Sequence, residues 1–159
     1  KTFYSMSKES GERLASEAGA VTIRPSSITG RGEQPEHLIP KLVDSCMNGT
    51  QMPFVSEPTH DFINVADVVA AIGLLVQIPE AHGKVFNVSS NTSTSNETVL
   101  NLVEGLLHKK ANIRRVESLR SYDTGDWKVD NTEMLKLGWK PTIRLGESLK
   151  EIIEEYDKS

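Results

Sequence analysis

Tyr4 and Lys8 are the two side chains in this 159-residue chain whose types and spacing best suit acid–base chemistry. In a helix, residues four apart lie on the same face, so the Lys8 ammonium would stand beside the Tyr4 phenol. An adjacent ammonium favours the phenolate form of a tyrosine. Such a pair suits an enzyme that moves a hydroxyl proton while a hydride leaves or reaches the same carbon. The alternative is an exposed helix pair without a chemical role.

The elements that must position this pair alternate between helix and strand, which predicts a mixed α/β fold. Residues 26–34 have two glycines and no apolar period, so they are predicted to form a loop. Pro40 lies about one turn into the second predicted helix and is expected to delay its start. The predicted helices are residues 4–18, 35–48, 66–78, a segment from a Thr94–Glu97 capping box to Leu107, 130–137 and 147–156; the predicted strands are 20–24, 52–55, 61–65, 83–88 and 113–116.

The composition is that of an ordinary soluble globular protein, with 37% hydrophobic and 25% charged residues. A net charge of −4 without a basic run argues against nucleic acid as a partner. One cysteine excludes an internal disulfide, and the four histidines are scattered, so no metal site is expected. No apolar stretch approaches the ~20 residues of a membrane span, and no signal peptide is recognisable. We therefore expect a cytoplasmic protein without a membrane partner.

Five segments, in this order, resemble motifs of the extended short-chain dehydrogenase/reductase family. Within that family the resemblance is to the NAD-dependent epimerases and dehydratases that act on nucleotide sugars. Each motif is weak alone, but five in the family's order are hard to attribute to chance. The segments are Tyr4-Ser5-Met6-Ser7-Lys8 with Glu12 following, Arg24 to Gly30, His60 to Val69, Phe86-Asn87-Val88, and Leu137 to Pro141.

The resemblance implies the C-terminal part of a Rossmann-type doubly wound sheet together with a small mixed α/β substrate-binding lobe. Residues 1–159 would form one compact unit, with 1–30 and 60–90 in the sheet and 31–59 and 91–159 in the lobe. The family's glycine-rich pyrophosphate turn and its upstream serine or threonine have no counterpart here. The expected partner is therefore a missing N-terminal half of the same protein. The fragment alone is expected to bind no cofactor and to be inactive.

The resemblance also assigns roles to individual residues. Tyr4 would be the general acid/base, and Lys8 would hydrogen-bond the nicotinamide ribose of an NAD or NADP cofactor. Pro25, Ser26, Ser27 and Ile28 would contact the nicotinamide, largely through the backbone. The expected ligands of a nucleotide-sugar substrate are Arg31, Lys41, His60 and Arg120. Solvated surface charge is the alternative for Arg31 and Lys41, and an ordinary turn histidine is the alternative for His60.

Several alternatives stay open at this point. The residues do not separate an epimerase from a dehydratase, or NAD from NADP. His60 stands where the family often has an arginine, which leaves a reductase of a ketone or thioester substrate as one alternative. A non-catalytic family member that binds a nucleotide or a protein is another. A homodimer through the tyrosine–lysine helix is expected, because Ser10, Gly11, Ala15 and Ala18 would permit close helix packing.

Overall fold

The computed structural model describes residues 2–117 and 126–158, which form a mixed α/β arrangement as predicted. A single 3-10 turn at Pro79–Ala81 follows the third helix. The α-helices are α1 (Phe3–Glu17), α2 (Leu38–Asn48), α3 (Val65–Leu75), α4 (Asn96–Leu107), α5 (Thr132–Lys136) and α6 (Leu145–Tyr156). The strands are β1 (Thr22–Pro25), β2 (Ser27–Thr29), β3 (Met52–Phe54), β4 (Thr59–His60), β5 (Phe62–Asn64), β6 (Val85–Val88), β7 (Thr94–Ser95) and β8 (Ile113–Arg115).

Local sequence signals set the ends of the first two helices. Thr2 caps α1, because its side chain accepts a hydrogen bond from the Ser5 amide at 3.1 Å. Gly19 follows α1 at φ +74°, and Gly49 ends α2 at φ +73°, a left-handed conformation that glycine adopts without steric cost. Helix α2 begins at Leu38 rather than at Pro35, so Pro40 lies in its first turn, where a missing amide is tolerated.

The strand pairings join segments that are distant in the chain. Three pairings are parallel: β1 with β6, β2 with β5, and β3 with β8. Strand β4 pairs with β7 in the antiparallel sense. Parallel pairs need long crossover connections, and α3 lies within the connection from β1 to β6. The arrangement aligns the carboxyl ends of β1 and β6, where ligands of open α/β sheets bind.

Three predictions about local structure are wrong. The predicted loop at 26–34 contains strand β2, and the two-residue strands β4 and β7 were not anticipated. These strands are too short to show a period, and they exist because a distant partner completes their hydrogen bonds. The cap of α4 is Ser95 rather than Thr94, because the Ser95 hydroxyl accepts from the Thr98 amide at 3.1 Å.

Two hydrophobic clusters form the interior. The first, around Leu42, Phe54 and Val103, joins α2, β3, α4 and α6. The second, around Ile63, Phe86 and Trp139, joins β5, α3, β6 and the segment after α5. Helix α1 contributes no buried residue to either cluster. The division of the chain into a sheet part and a lobe stays a prediction.

Asp61 holds together the loops that follow β1 and β6. Its side chain is buried, and it accepts hydrogen bonds from the Ser26 hydroxyl at 3.2 Å and the Ser90 amide at 2.8 Å. Its second oxygen accepts from the Val129 amide at 3.1 Å. Because the same carboxylate contacts three segments, it fixes the strand ends that border the candidate site.

Candidate functional site

Tyr4 and Lys8 lie on the same face of α1, as their spacing predicts. The Lys8 ammonium stands 5.5 Å from the centroid of the Tyr4 ring. Tyr4 is 72% exposed, so the phenol is accessible to a molecule that approaches this end of the helix. A cation at this distance is attracted by the face of the ring. The structure therefore brings the two predicted groups together on an open surface.

Two contacts attach α1 to the strands. The Arg24 guanidinium of β1 donates to both oxygens of Glu12, at 2.7 and 2.5 Å. This pairing lowers the pKa of the Glu12 carboxyl and raises that of Arg24. The Ser16 hydroxyl donates to the Gly83 carbonyl at 3.0 Å, just before β6. The two hydrogen bonds between Arg24 and Glu12 fix the orientation of α1 relative to the end of β1.

Pro25 ends β1 opposite Val88 of β6, and the chain then turns into β2. The Ser26 amide donates to the Val88 carbonyl at 3.0 Å, and its hydroxyl contacts Asp61. Ile28 is 41% exposed. The predicted cofactor segment is thus a fixed backbone turn at a strand end with an exposed apolar side chain beside it.

A cavity of about 710 Å³ opens next to β2. Its walls come from β2, the loop before α2, the first turn of α2, β3, the β4–β5 segment and the start of α4. Among the predicted site residues, Ser27, Ile28, Lys41 and His60 line it. Tyr4, Lys8, Pro25, Ser26 and Arg31 do not belong to its walls. Arg120 lies outside the described residues.

Two basic side chains of the cavity wall, those of Lys41 and His60, contact different neighbours. The Lys41 ammonium lies 2.8 Å from Glu36 Oε2, and this hydrogen bond lowers the pKa of the Glu36 carboxyl. Both side chains are substantially exposed, so the pair can exchange partners at little cost. The His60 ring packs against Phe62, with ring centroids 5.8 Å apart.

Arg31, the other predicted substrate ligand on this loop, points to α6. Its guanidinium lies 3.4 Å from Glu154 Oε2, and the Gly32 amide donates to Glu155 Oε2 at 2.9 Å. These contacts attach the loop before α2 to the last turns of α6. The role of Arg31 as a substrate ligand stays a prediction.

Glu33 is a carboxyl group in the cavity wall that the sequence did not reveal. Its side chain is 8% exposed, and Oε2 accepts a hydrogen bond from the Thr29 hydroxyl at 2.7 Å. His37 Nδ1 lies 3.4 Å from Oε1. Burial raises the pKa of the Glu33 carboxyl, and the Thr29 hydrogen bond acts in the opposite direction. An acid in a glycine-containing segment is typical of exposed loops, so no sequence signal indicated its burial.

Asn96 is the second residue that sequence reasoning missed. It is 8% exposed and lines the cavity at the start of α4. Its amide nitrogen donates to the Val55 carbonyl at 2.9 Å, while Oδ1 is buried without a hydrogen-bond partner among the described residues. A buried acceptor without a partner is costly unless another group supplies a donor. Asn96 ties the start of α4 to the Val55 carbonyl in the cavity wall.

Gly30 makes the turn between β2 and the cavity loop, and we expect Gly30→Ala to destabilise the protein. Its φ is +132°, and an added Cβ would lie 3.1 Å from Val65 Cγ1 and 3.3 Å from the Asn64 amide nitrogen. Backbone strain and the close contacts with the Val65 and Asn64 side chains together should lower the free energy of unfolding by about 1–3 kcal/mol. Urea unfolding measures the change. The control is Gly105→Ala in α4, where an added Cβ meets nothing within 4 Å and stability should rise slightly.

Two features are absent from residues 2–117 and 126–158. No group of three or more His, Cys, Asp and Glu side chains in these ranges is arranged to hold a metal ion. No helix in the same ranges is long and apolar enough to cross a membrane.

The amino-acid sequence is similar to a protein-family model and to several curated proteins. The model of the NAD dependent epimerase/dehydratase family matches residues 1–89. A low-salt glycan biosynthesis protein of Haloferax volcanii is 26% identical over 162 residues, covering 96% of this chain and 52% of that protein. A dTDP-glucose 4,6-dehydratase of Streptomyces griseus is 28% identical over 165 residues, covering 98% of this chain and 50% of that protein.

The structural comparison covers the entire chain. The structure of a dTDP-glucose 4,6-dehydratase from Bacillus anthracis in complex with NAD matches with a TM-score of 0.88 at 24% identity. The match covers 100% of this chain and 53% of that one. This similarity confirms the predicted Rossmann-type α/β fold. The chain spans about half the length of the curated relatives it matches.

Proposed function

The chain belongs to the NAD-dependent epimerase/dehydratase family, and from this premise we propose that it contributes to an enzyme that transfers hydride at a nucleotide-sugar carbon. The observation that carries the proposal is the accessible Tyr4 phenol with the Lys8 ammonium 5.5 Å from its ring. Hydride transfer at an alcohol carbon requires a group that takes the hydroxyl proton at the same time. Tyr4 is proposed as that group, and Lys8 as the positive charge that stabilises its anion.

The residues around the end of β1 fit the nicotinamide end of a cofactor. The Lys8 ammonium can donate to a ribose hydroxyl, the turn from Pro25 to Ser27 offers a fixed backbone, and Ile28 offers exposed apolar surface for a ring. A nicotinamide, when bound, accepts a hydride from the substrate and later returns one. We propose NAD or NADP for the complete protein, and we expect no binding of either to the 159-residue chain alone.

The cavity beside β2 is proposed to hold the nucleotide-sugar. Lys41 and His60 in its walls can face an anionic diphosphate, and the Asn96 side chain fixes the wall at Val55 through a hydrogen bond. Arg31 and Arg120 remain proposed ligands, and Arg31 would first have to leave Glu154. The residue range 31–59 and the range 91–159 together would form the substrate lobe.

We expect Asn96→Ala in the full-length protein to weaken nucleotide-sugar binding by about tenfold, because the hydrogen bond that holds the cavity wall at Val55 against the start of α4 is lost. Isothermal titration calorimetry with UDP-glucose and dTDP-glucose measures the change. The control is Asn101→Ala on the exposed face of the same helix, which should leave the Kd within about twofold. Equal effects of the two substitutions would contradict the assignment of Asn96.

Product analysis of the full-length protein tests the proposed function itself. The protein, with NAD or NADP, is incubated separately with UDP- and dTDP-hexoses and with small ketones plus reduced cofactor. Conversion of a nucleotide sugar to an epimer or to a 4-keto-6-deoxy product supports the proposal. Conversion of ketones alone would favour the reductase alternative, which His60 in place of the family's arginine keeps open. Binding of a nucleotide or a protein without turnover would favour a non-catalytic role.

A homodimer and a cytoplasmic location are also proposed for the complete protein. Helix α1 has no buried residue and exposes apolar side chains that a second copy could cover: Phe3, Met6 and Leu14. Sedimentation of the full-length protein measures its mass, and cell fractionation measures its location.

A further inference from the structure

We propose that Glu33 sets the charge specificity of the cavity, favouring a sugar with a hydroxyl or amine donor over one with a carboxylate. The inference rests on the proposed nucleotide-sugar site and goes beyond it to the class of sugar accepted. Glu33 lies in the loop between β2 and α2, and its carboxyl is part of the cavity wall.

The position of Glu33 is fixed on both sides. Oε2 accepts the Thr29 hydroxyl at 2.7 Å, and Thr29 is itself buried. Oε1 lies 3.4 Å from His37 Nδ1, and the His37 side chain is 52% exposed. A carboxylate has about four lone-pair directions, so these contacts leave capacity for a ligand donor. The group is thus held in place without being saturated.

Because it is buried, the Glu33 carboxyl can distinguish a ligand donor group from a ligand carboxylate. Its side chain is 8% exposed, so solvent screens it much less than the exposed acid Glu36 in the same cavity. A hydroxyl or amine of the ligand would give Glu33 a charge-assisted hydrogen bond. A ligand carboxylate at the same place would force two like charges together, or would require a proton on one of them. Burial raises the pKa of the Glu33 carboxyl, while its contacts with Thr29 and His37 act in the opposite direction.

Two basic side chains line the cavity outside the loop that carries Glu33. Lys41 lies on α2 and pairs with Glu36, and His60 packs on Phe62 on the β4–β5 side of the cavity. The loop between β2 and α2 contributes Glu33 to the wall, with the His37 ring beside it. An anionic diphosphate therefore fits beside Lys41 and His60, and the uncharged or amino end of a sugar fits beside Glu33.

The test uses the full-length protein and four probes: UDP-glucose, UDP-glucuronic acid, dTDP-glucose and dTDP-glucuronic acid. Within each nucleotide, the two sugars differ only in a hydroxymethyl or a carboxylate. Calorimetry should give at least about tenfold tighter binding of the glucose derivative for the wild type. Glu33→Gln removes the charge and keeps the shape, and it should reduce that ratio to about threefold or less.

The ratio of the two dissociation constants, glucuronic acid derivative to glucose derivative, separates a role of Glu33 in specificity from a purely structural role. Loss of loop structure would weaken the binding of both nucleotide sugars of a pair equally, so the ratio would not change. A changed contact with the diphosphate would also leave the ratio unchanged. Glu36→Gln, an exposed acid in the same cavity, is the matched control and should leave the ratio within about twofold. A ratio unchanged in Glu33→Gln, or a wild-type preference for the glucuronic acids, overturns the inference alone. Failure of all four probes to bind overturns the proposed function and the inference with it.

Discussion

Tyr4→Phe in the full-length protein is expected to lower kcat by about 10²–10⁴-fold, the range that a positioned general acid or base contributes. The substitution removes the phenolic oxygen and keeps the ring over which Lys8 lies. Because Tyr4 is 72% exposed and on a helix without buried residues, folding should be unaffected. Steady-state turnover of the nucleotide sugar found by product analysis measures the effect.

Tyr156→Phe is the matched control for this substitution. Tyr156 lies on α6 and donates its hydroxyl proton to Asp44, and this hydrogen bond raises the pKa of the tyrosine. The residue belongs neither to the cavity nor to α1, so kcat should stay within about twofold of the wild type. Retention of wild-type turnover by Tyr4→Phe would exclude Tyr4 as the acid–base group.

Asp67→Ala is expected to lower the free energy of unfolding by about 3 kcal/mol, the largest stability effect we predict. Asp67 is 3% exposed in the first turn of α3. Its carboxylate accepts the Thr142 amide at 3.0 Å, the Thr142 hydroxyl at 2.8 Å and the Ile143 amide at 3.0 Å. Removal would leave the two amides without their acceptor and would detach the segment that leads into α6.

Urea unfolding followed by circular dichroism measures this change. Asp67→Asn keeps one acceptor oxygen and should lose less stability than the alanine variant. Asp157→Ala, at the exposed end of α6, removes the same charge from an open site and should change stability by about 0.5 kcal/mol or less. A loss below about 1 kcal/mol for Asp67→Ala would show that the network around Asp67 is not a principal support of the fold.

Much of the fold was predictable because its signals are local. The Tyr4 to Lys8 spacing, the glycines after α1 and α2, and the apolar period of α2 each act within one or two turns. These signals identified α1, α2 and α3 close to their observed bounds. The glycines at 19 and 49 adopt positive φ, as a helix stop requires. The α/β class followed from the alternation of such segments.

The missed elements depend on partners far along the chain. Strand β2 exists because Ser27 pairs with Phe62, and β4 because His60 pairs with Thr94. Ser95 caps α4 while it also pairs with Thr59 in the antiparallel β4–β7 ladder. A three-residue or two-residue strand carries no period of its own, so tertiary context decides.

The candidate site likewise has residues that the sequence predicted and residues that it did not. Tyr4 and Lys8 were predictable because four residues of helix suffice to bring them together. Glu33 and Asn96 were not predictable, because their burial results from the packing of α2, β3 and α4 around one cavity. Lys41 and His60 were predicted from a resemblance, and they line that cavity. Arg31 faces Glu154 instead, since α6 folds back beside the loop.

The most direct test of the central claim is a stopped-flow measurement of the full-length protein, loaded with cofactor and mixed with its nucleotide sugar. Absorbance of the reduced nicotinamide reports the transfer of hydride from the sugar. We predict that the signal rises before product forms and that Tyr4→Phe slows this rise by about 10²-fold or more. A rise of unchanged rate in Tyr4→Phe, or product formation by the wild type without any rise, would contradict the account.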